Sequence, residues 1–471
     1  MGAIYRTSHI SNDSIPDVFT SALHYCITQH PVLSAAIQDA DTEAPLFVRP
    51  DILDLRNHLS FEGLTQGHQN EAHTIQDALT RIHNTPCPYV DGVPAWKLVV
   101  IQLAADVVGN SRFWAGFVYS HSHGDGKSGL AFQKTLLRGL ELAAQGLLRH
   151  VNGMVLDTNN LPPLLPCLED LAELTISWRF LLGPLLGAYL PTSMSSFFGV
   201  QAGLSGESQA WTGLPYSYDP ADHRTGVVLL QISADTLASV LKACRLRQAK
   251  LTGLLHQAIV YALSVEGHWK PQTSFVAATP LDLRNVIAGC GDGDMLNCVS
   301  GAYEVLRARP DTRYKHSISE ATWVAARNTG SILSEKASTL ADQPIGLLRY
   351  LRNFRPYMLD KLGKARDESY EISNLGNMST GVETSMEEKS ANWQIEQMVF
   401  SQPANAIGCA INFNTVSTTA GGLTLTITWQ KDVLGLEHEE ASMMIVASEV
   451  LSLLEVAGYD NGNSSTKTEP N

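Results

Sequence analysis

The chain has 471 residues, of which 44% are hydrophobic and 17% charged, a balance that excludes a disordered or fibrous protein and leaves room for two lobes of ordinary domain size. Its formal net charge of -14 argues against a broad electrostatic footprint for nucleic acid. The same charge makes an acidic carrier protein a less natural partner than a small phosphate-bearing donor, which needs only a few local cations.

Seven cysteines (Cys26, Cys87, Cys167, Cys244, Cys290, Cys298 and Cys409) are scattered, odd in number and without CxxC spacing, which argues against a disulfide framework or a zinc site and fits a reducing compartment. The first residues, Met1 to Ser14, contain no apolar signal core. A myristoylation motif beginning at Gly2 would want Ser or Thr at position 6, where Arg6 stands. A cytoplasmic protein is expected.

Val18 to Gln29 reads as a helix with Phe19, Leu23 and Ile27 on one face, ended near Pro31. Phe47 to Pro50 and Trp96 to Gln102 read as short strands, with a helix over Ile75 to His83 and a loop over Pro86 to Pro94. Phe113 to Tyr119 (FWAGFVY) is an aromatic strand, and together these segments predict an αβ lobe.

The loop after that strand, Tyr119-Ser-His-Ser-His-Gly-Asp-Gly-Lys-Ser-Gly129, precedes a helix whose apolar face is Leu130, Phe132, Leu136, Leu137, Leu140 and Leu142. Gly126-Lys127-Ser128 matches the tail of a phosphate loop, but that pattern requires glycine where His121 stands. His121-x-His123-x-Asp125 matches the start of an HxHxDH metal signature, but its sixth position is Gly126, and zinc would need further ligands. His-x-x-x-Asp-Gly, with His121 as a base, Asp125 as a structural partner and Gly126 at the helix N-terminus, asks for nothing that is missing.

Leu174 to Leu190 carries one charge, Arg179, and is broken by Gly183-Pro184. A membrane-spanning helix needs about 20 apolar residues, so a helical hairpin or crossover packed on the lobes is expected, with loose membrane or lipid-droplet contact as the alternative. Gly226 to Ile232 is a strand, Ser233 caps a helix over Ala234 to Arg245, and Leu251 to Val265 forms another helix with Thr252 near its start. Phe275 to Thr279 is a strand running into Pro280-Leu-Asp-Leu-Arg284, and Gly289 to Asp294 is a turn too irregular for a dinucleotide fingerprint. Further strands are expected over Cys298 to Leu306, Tyr370 to Leu375, Met398 to Ser401, Gly408 to Asn414 and Leu423 to Trp429, with helices over Ser317 to Lys336 and His438 to Leu454. The chain divides into an N-terminal lobe (1–190), a crossover (191–220), a C-terminal lobe (221–456) and a polar tail (457–471) expected to be disordered.

HSHGDGKSG, with Phe132 and Leu136-Leu137 after it, resembles the HxxxDG signature of the condensation-domain-like acyltransferases. That superfamily includes peptide-synthetase condensation domains, plant hydroxycinnamoyl-type acyltransferases, and fungal and yeast alcohol acetyltransferases. Ala22 to Ser34 resembles its opening helix and His-Pro-Val-Leu turn, and Phe275 to Arg284 resembles its strand ending in Pro-x-x-Leu-Arg. Ile372 to Gly376 resembles the Ser-Asn-Leu-Gly element of the alcohol acetyltransferase branch, and Trp211 to Pro215 has the same flavour. Ser120 stands where many members carry a second histidine, so no paired histidine is expected to act.

The resemblance implies an α/β fold of two similar chloramphenicol-acetyltransferase-like lobes with the active site in a tunnel between them. It implies that Asp125 points away from substrate and pairs with an arginine, the matching residue being Arg284. An imidazole titrating near operating pH can take the proton of an attacking alcohol, so His121 is the expected general base and Gly126 N–H a candidate oxyanion contact. Asn374 is either a polar contact near the reacting centre or a turn residue. His123 is expected to pack, Ser128 to cap the helix, and His9, His24, His30 and His256 to be structural.

The implied reaction is acyl transfer from acyl-CoA to a small-molecule alcohol, with no resident cofactor or metal and no nucleic-acid partner. Amide or ester formation from a carrier-bound thioester remains open. So do a zinc-dependent hydrolase built on His121, His123 and Asp125, and a member that only binds.

Overall fold

The computed structural model describes residues 1–8, 14–63, 70–86, 89–148, 153–182, 210–266, 274–308, 317–378 and 393–459. Two β-sheets, each backed by helices, form the two lobes.

The first sheet runs in the order Trp393–Val399, Gly2–Thr7, Ser111–Tyr119, Trp96–Leu103, Leu59–Glu62. Side chains alternate across a strand, and the aromatic run uses both sides. Phe113, Ala115 and Phe117 face a core with Phe19, Leu23 and Phe132 from the helices Ile15–Gln29 and Gly126–Ala144. Trp114 points the other way, to Ile75 and Leu79 of the helix Glu71–His83. The loop that follows this strand is therefore held by a sheet buried on both faces.

The second sheet runs in the order Thr225–Ile232, Gly422–Gln430, Ile411–Thr418, Tyr370–Met378, Ser274–Asp282, Val299–Arg307, with Ala210–Trp211 beside Ser274–Asp282. Leu423, Leu425, Ile427 and Trp429 enter a core shared with the helices Ala234–Leu246, Leu251–Glu266, Glu320–Lys336 and Glu439–Tyr459. The strand expected over Leu423 to Trp429 is present, and every residue from Gly422 to Gln430 is buried. The polar face is used internally: the Thr424 and Thr426 hydroxyls donate to the carbonyls of Met398 and Phe400 at 2.8 and 2.7 Å.

Those carbonyls belong to the strand Trp393–Val399 and its exit, which the sequence division assigns to the C-terminal lobe. The strand pairs instead with Gly2–Thr7 as the edge of the first sheet, so residues 221–456 are not one lobe. The closing helix reaches Tyr459, past the expected tail boundary at 457, while 460–471 lie outside the described residues. Ala210–Trp211, placed in the crossover, pairs with Ser274 and Phe275, and 191–209 lie outside the described residues. Of the apolar run from Leu174, residues 183–190 lie outside as well; Leu174 itself is buried against Leu283 and Cys298. Among the described residues one helix, Glu439–Tyr459, is long and apolar enough to cross a membrane, and its Val446, Val450 and Leu453 lie in the second core.

Candidate active site

The strand Ser111–Tyr119 ends at Ser120, whose Oγ accepts the Ser122 N–H at 3.3 Å and starts a 3-10 turn over His121–His123. Gly124 follows because nothing larger fits: a Cβ there would lie 2.5 Å from Ser128 Cβ. Asp125 then caps the helix Gly126–Ala144, accepting the Ser128 N–H at 3.0 Å while its own N–H donates to Ser128 Oγ at 3.2 Å.

The Asp125 carboxylate is turned into the protein, 4% exposed, towards an Arg284 that is 3% exposed. Arg284 Nη1 donates to Oδ2 at 2.8 Å and Nη2 to Oδ1 at 3.0 Å, and the Cys298 N–H donates to Oδ2 at 3.0 Å. Arg284 is itself held by the Leu296 carbonyl at 2.9 Å and Asp282 at 3.0 Å. Burial pulls its pKa down, but the hydrogen bonds and charges of Asp125 and Asp282 carry it above the usual arginine value. Asp125 is thus a clamp between lobes and has no free oxygen to offer His121.

His121 is exposed, and three cavities meet at it. One of about 420 Å³ runs under the first sheet past Trp114, Phe117 and Tyr89. One of about 650 Å³ opens between Phe47, Leu165, Met295 and Phe354. The third, about 330 Å³, lies against the second sheet and is lined by Thr279, Ser300, Tyr303, Glu371, Ser373 and Gln402 among others. Gly126 lines the first and third, and a Cβ on it would sit 2.7 Å from Leu375 Cδ2 of the second lobe. The Asn297 amide donates to the His121 carbonyl at 2.6 Å and fixes the turn from the other side.

His123 is buried: Nε2 donates to the Ala35 carbonyl at 2.8 Å and Nδ1 meets Ser122 Oγ at 3.0 Å. Burial lowers its pKa, so it packs as a neutral ring. With His123 turned to Ala35 and Asp125 to Arg284, the three side chains of the metal reading diverge. Among the described residues no three His, Cys, Asp or Glu groups are placed to hold a metal ion.

Asn374 takes the second of its two expected roles. Its Nδ2 donates to Thr252 Oγ1 at 3.0 Å and its Oδ1 accepts the Gly376 N–H at 2.9 Å, a turn on the helix side of the sheet. Along Tyr370–Met378 the residues that face the motif are the alternate ones. Leu375 packs at Gly126, and Ser373 and Glu371 line the third cavity. Glu371, Ser373 and Gln402 were missed in the sequence; the signal for Glu371 was a carboxylate between the buried Tyr370 and Ile372 of a strand. Glu371 accepts a hydrogen bond from Gln402 Nε2 at 3.0 Å. Burial raises its pKa, against the hydrogen bond from Gln402 and the opposite charge of His121.

Residues 17–455 match the alcohol acetyltransferase family. The chain is 22% identical over 453 residues to the probable alcohol acetyltransferase crmB of Aspergillus fumigatus, covering 92% of this chain and 90% of that one. It is 21% identical over 456 residues to the probable alcohol acetyltransferase FCK4 of Fusarium pseudograminearum, covering 92% and 88%. Its fold is similar to that of the trichothecene 15-O-acetyltransferase TRI3 of Fusarium sporotrichioides, with a TM-score of 0.66, 13% identity, and 97% and 90% of the two chains covered. It is also similar in fold to the first condensation domain of the calcium-dependent antibiotic synthetase, with a TM-score of 0.54, 13% identity, and 98% and 91% covered. The fold is therefore the two-lobed, chloramphenicol-acetyltransferase-like arrangement, with the cavities at His121 between the lobes.

Proposed function

The chain belongs to the alcohol acetyltransferase family and is on that ground an acetyltransferase; from that premise we propose that it moves an acetyl or other short acyl group from acyl-CoA to a hydroxyl of a small molecule, with His121 as general base. The observation that carries this is the placement of one exposed imidazole where three cavities meet, on a loop whose carboxylate is clamped elsewhere.

Two substrates entering by different cavities would meet at that ring. His121 takes the hydroxyl proton as the oxygen attacks the thioester carbonyl, which contributes roughly 10²–10⁴-fold. The tetrahedral intermediate carries an oxyanion, for which the Gly126 N–H at the start of the motif helix is a donor in reach of the first and third cavities. Collapse breaks the carbon–sulfur bond, and the imidazolium returns its proton to the departing thiolate. The scheme needs no acyl-enzyme and no resident cofactor; acyl-CoA is a co-substrate. Asp125 keeps the loop in shape and does not relay protons. The described cysteines are free thiols, which supports a cytoplasmic setting.

The test is thiol release from acetyl-CoA with a panel of alcohols, comparing wild type, His121→Ala and an EDTA-treated sample. Alcohol-dependent release that is lost in His121→Ala and indifferent to EDTA is the expected result. Loss on chelation would overturn the scheme, and release only from a carrier-bound thioester would replace acyl-CoA as donor.

A further inference from the structure

The proposed reaction places a positive charge on His121 between the attack and the departure of the thiolate. An imidazolium where three cavities meet is favoured by a nearby opposite charge, and Asp125 is not that charge, because its two oxygens are taken by Arg284, Ser128 and the Cys298 N–H. Glu169 and Asp294 line the 650 Å³ cavity with His121, Asp294 being held by the Gly291 N–H, but the carboxylate on which the His121 charge acts comes from the opposite lobe. Glu371 lies on the strand Tyr370–Met378, on the face that Leu375 presses against Gly126, and it lines the 330 Å³ cavity together with His121 and Gly126.

We propose that Glu371 is a positioning residue for His121: its carboxylate, held by Gln402, stabilises the imidazolium formed when His121 takes the hydroxyl proton. This rests on the reading of His121 as base given above. The step itself moves one proton, from the acceptor hydroxyl to the imidazole and then to the leaving sulfur; Glu371 neither gains nor loses one.

The surroundings suit that role. The titratable groups facing Glu371 are His121 from the motif loop, Tyr303 from Val299–Arg307, Glu368 from the segment before its own strand, and Cys409 from the loop before Ile411–Thr418. Burial keeps Tyr303 and Cys409 protonated, so neither adds charge. Arg284, beside the loop, is taken up by Asp125 and Asp282 and offers Glu371 no free positive charge. The opposite charge that Glu371 meets is therefore the one generated at His121, and Gln402 Nε2, 3.0 Å from Oε1, aligns the carboxylate without supplying a charge of its own.

The experiment follows the pH dependence of His121 in wild type, Glu371→Gln, Glu371→Ala and Glu371→Asp. Its first arm is the rate of diethylpyrocarbonate modification of the His121 peptide, read by mass spectrometry, which needs no acceptor. Its second is the acid limb of kcat/KM. A carboxylate favours the protonated imidazole, so both uncharged variants are expected to move the His121 titration to lower pH, by about half a unit to one unit. Glu371→Asp is expected to stay closer to wild type than either. The uncharged variants should lose kcat about 10- to 100-fold with KM within about twofold. An unmoved titration would overturn the proposal, as would a rise in KM for one substrate at constant kcat, which would make Glu371 a substrate contact. Wild type that transfers no acyl group would sink the acyltransferase reading instead, and the modification arm separates the two failures.

Discussion

Arg284 grips both carboxylate oxygens of Asp125 at 2.8 and 3.0 Å across 159 positions of the chain, joining the second sheet to the loop that carries His121. Removing Arg284 leaves the buried Asp125 carboxylate without its counter-charge, and removing Asp125 leaves the buried Arg284 with the partly exposed Asp282 alone, which costs on the order of 3–5 kcal/mol. Asp125→Ala is expected to lose both activity and stability, measured by denaturant unfolding alongside thiol release. An Asp125→Ala protein that unfolds like wild type would contradict this account of the motif aspartate.

His121→Ala should behave oppositely. Its ring is exposed, so truncation removes little packing, and the melting temperature should stay close to that of wild type. Acyl transfer should fall by roughly 10²–10⁴-fold. A large drop in melting temperature with activity retained would assign the ring to structure.

Gly126→Ala puts a methyl 2.7 Å from Leu375 Cδ2 and must either move that side chain or tilt the helix N-terminus. The expected cost is about 1–3 kcal/mol, with a fall in kcat. The double variant Gly126→Ala/Leu375→Ala makes room at the same contact, so the two effects should be non-additive in unfolding measurements. Strict additivity would mean that the contact is not what glycine preserves.

Asn374→Ala removes a bond to Thr252 and a turn bond to Gly376, on the face of the strand away from the cavities. A loss of about 1–2 kcal/mol with near-normal kcat is expected. A selective collapse of kcat would return Asn374 to the reacting centre.

Glu368 gives stability a pH dependence. Burial and the neighbouring Asp367 push its carboxyl up from 4.5 to about 7 in the folded chain. The folded state then holds a proton that the unfolded state releases, so this contribution is complete below pH 4.5 and is lost as pH rises through about 7. Glu368→Gln should therefore stabilise the protein at pH 8, by about 1–2 kcal/mol for a partly exposed group, and have little effect at pH 4. Equal effects at both pH values, in urea unfolding, would remove this assignment.

The motif loop, its strand and its helix were legible because local rules set them, an aromatic run and a helix with one apolar face; the cap, expected at Ser128, is Asp125, with Ser128 three residues on in the capping box. Arg284 was legible through the Pro-x-x-Leu-Arg pattern. Between the two readings left open for Asn374 the strand decides for the turn, because in a period of two one step reverses the face. The side that looks into the cavity is set by Leu375 meeting Gly126, a contact between lobes that no local pattern encodes. The destination of the Thr face of LTLTITW was not legible for a related reason: alternation reports a polar face but does not distinguish water from the Met398 and Phe400 carbonyls. Gly2–Thr7 escaped notice because its partners, 111–116 and 393–399, lie far away in the chain.

The strand Trp393–Val399 also sets a schedule for biosynthesis. Gly2–Thr7 is made long before Trp393–Val399 and can pair with Ser111–Tyr119 early, but its other edge stays open until residue 393 and beyond have been made. Until then the space that Trp393 occupies against Tyr5, Phe19 and Phe113 is unfilled. An open edge beside an incomplete aromatic core invites pairing with another nascent chain. A message truncated ahead of Trp393 should therefore yield aggregates rather than a usable half, and exchanging lobes between relatives would have to carry 393–399 along with the amino-terminal portion.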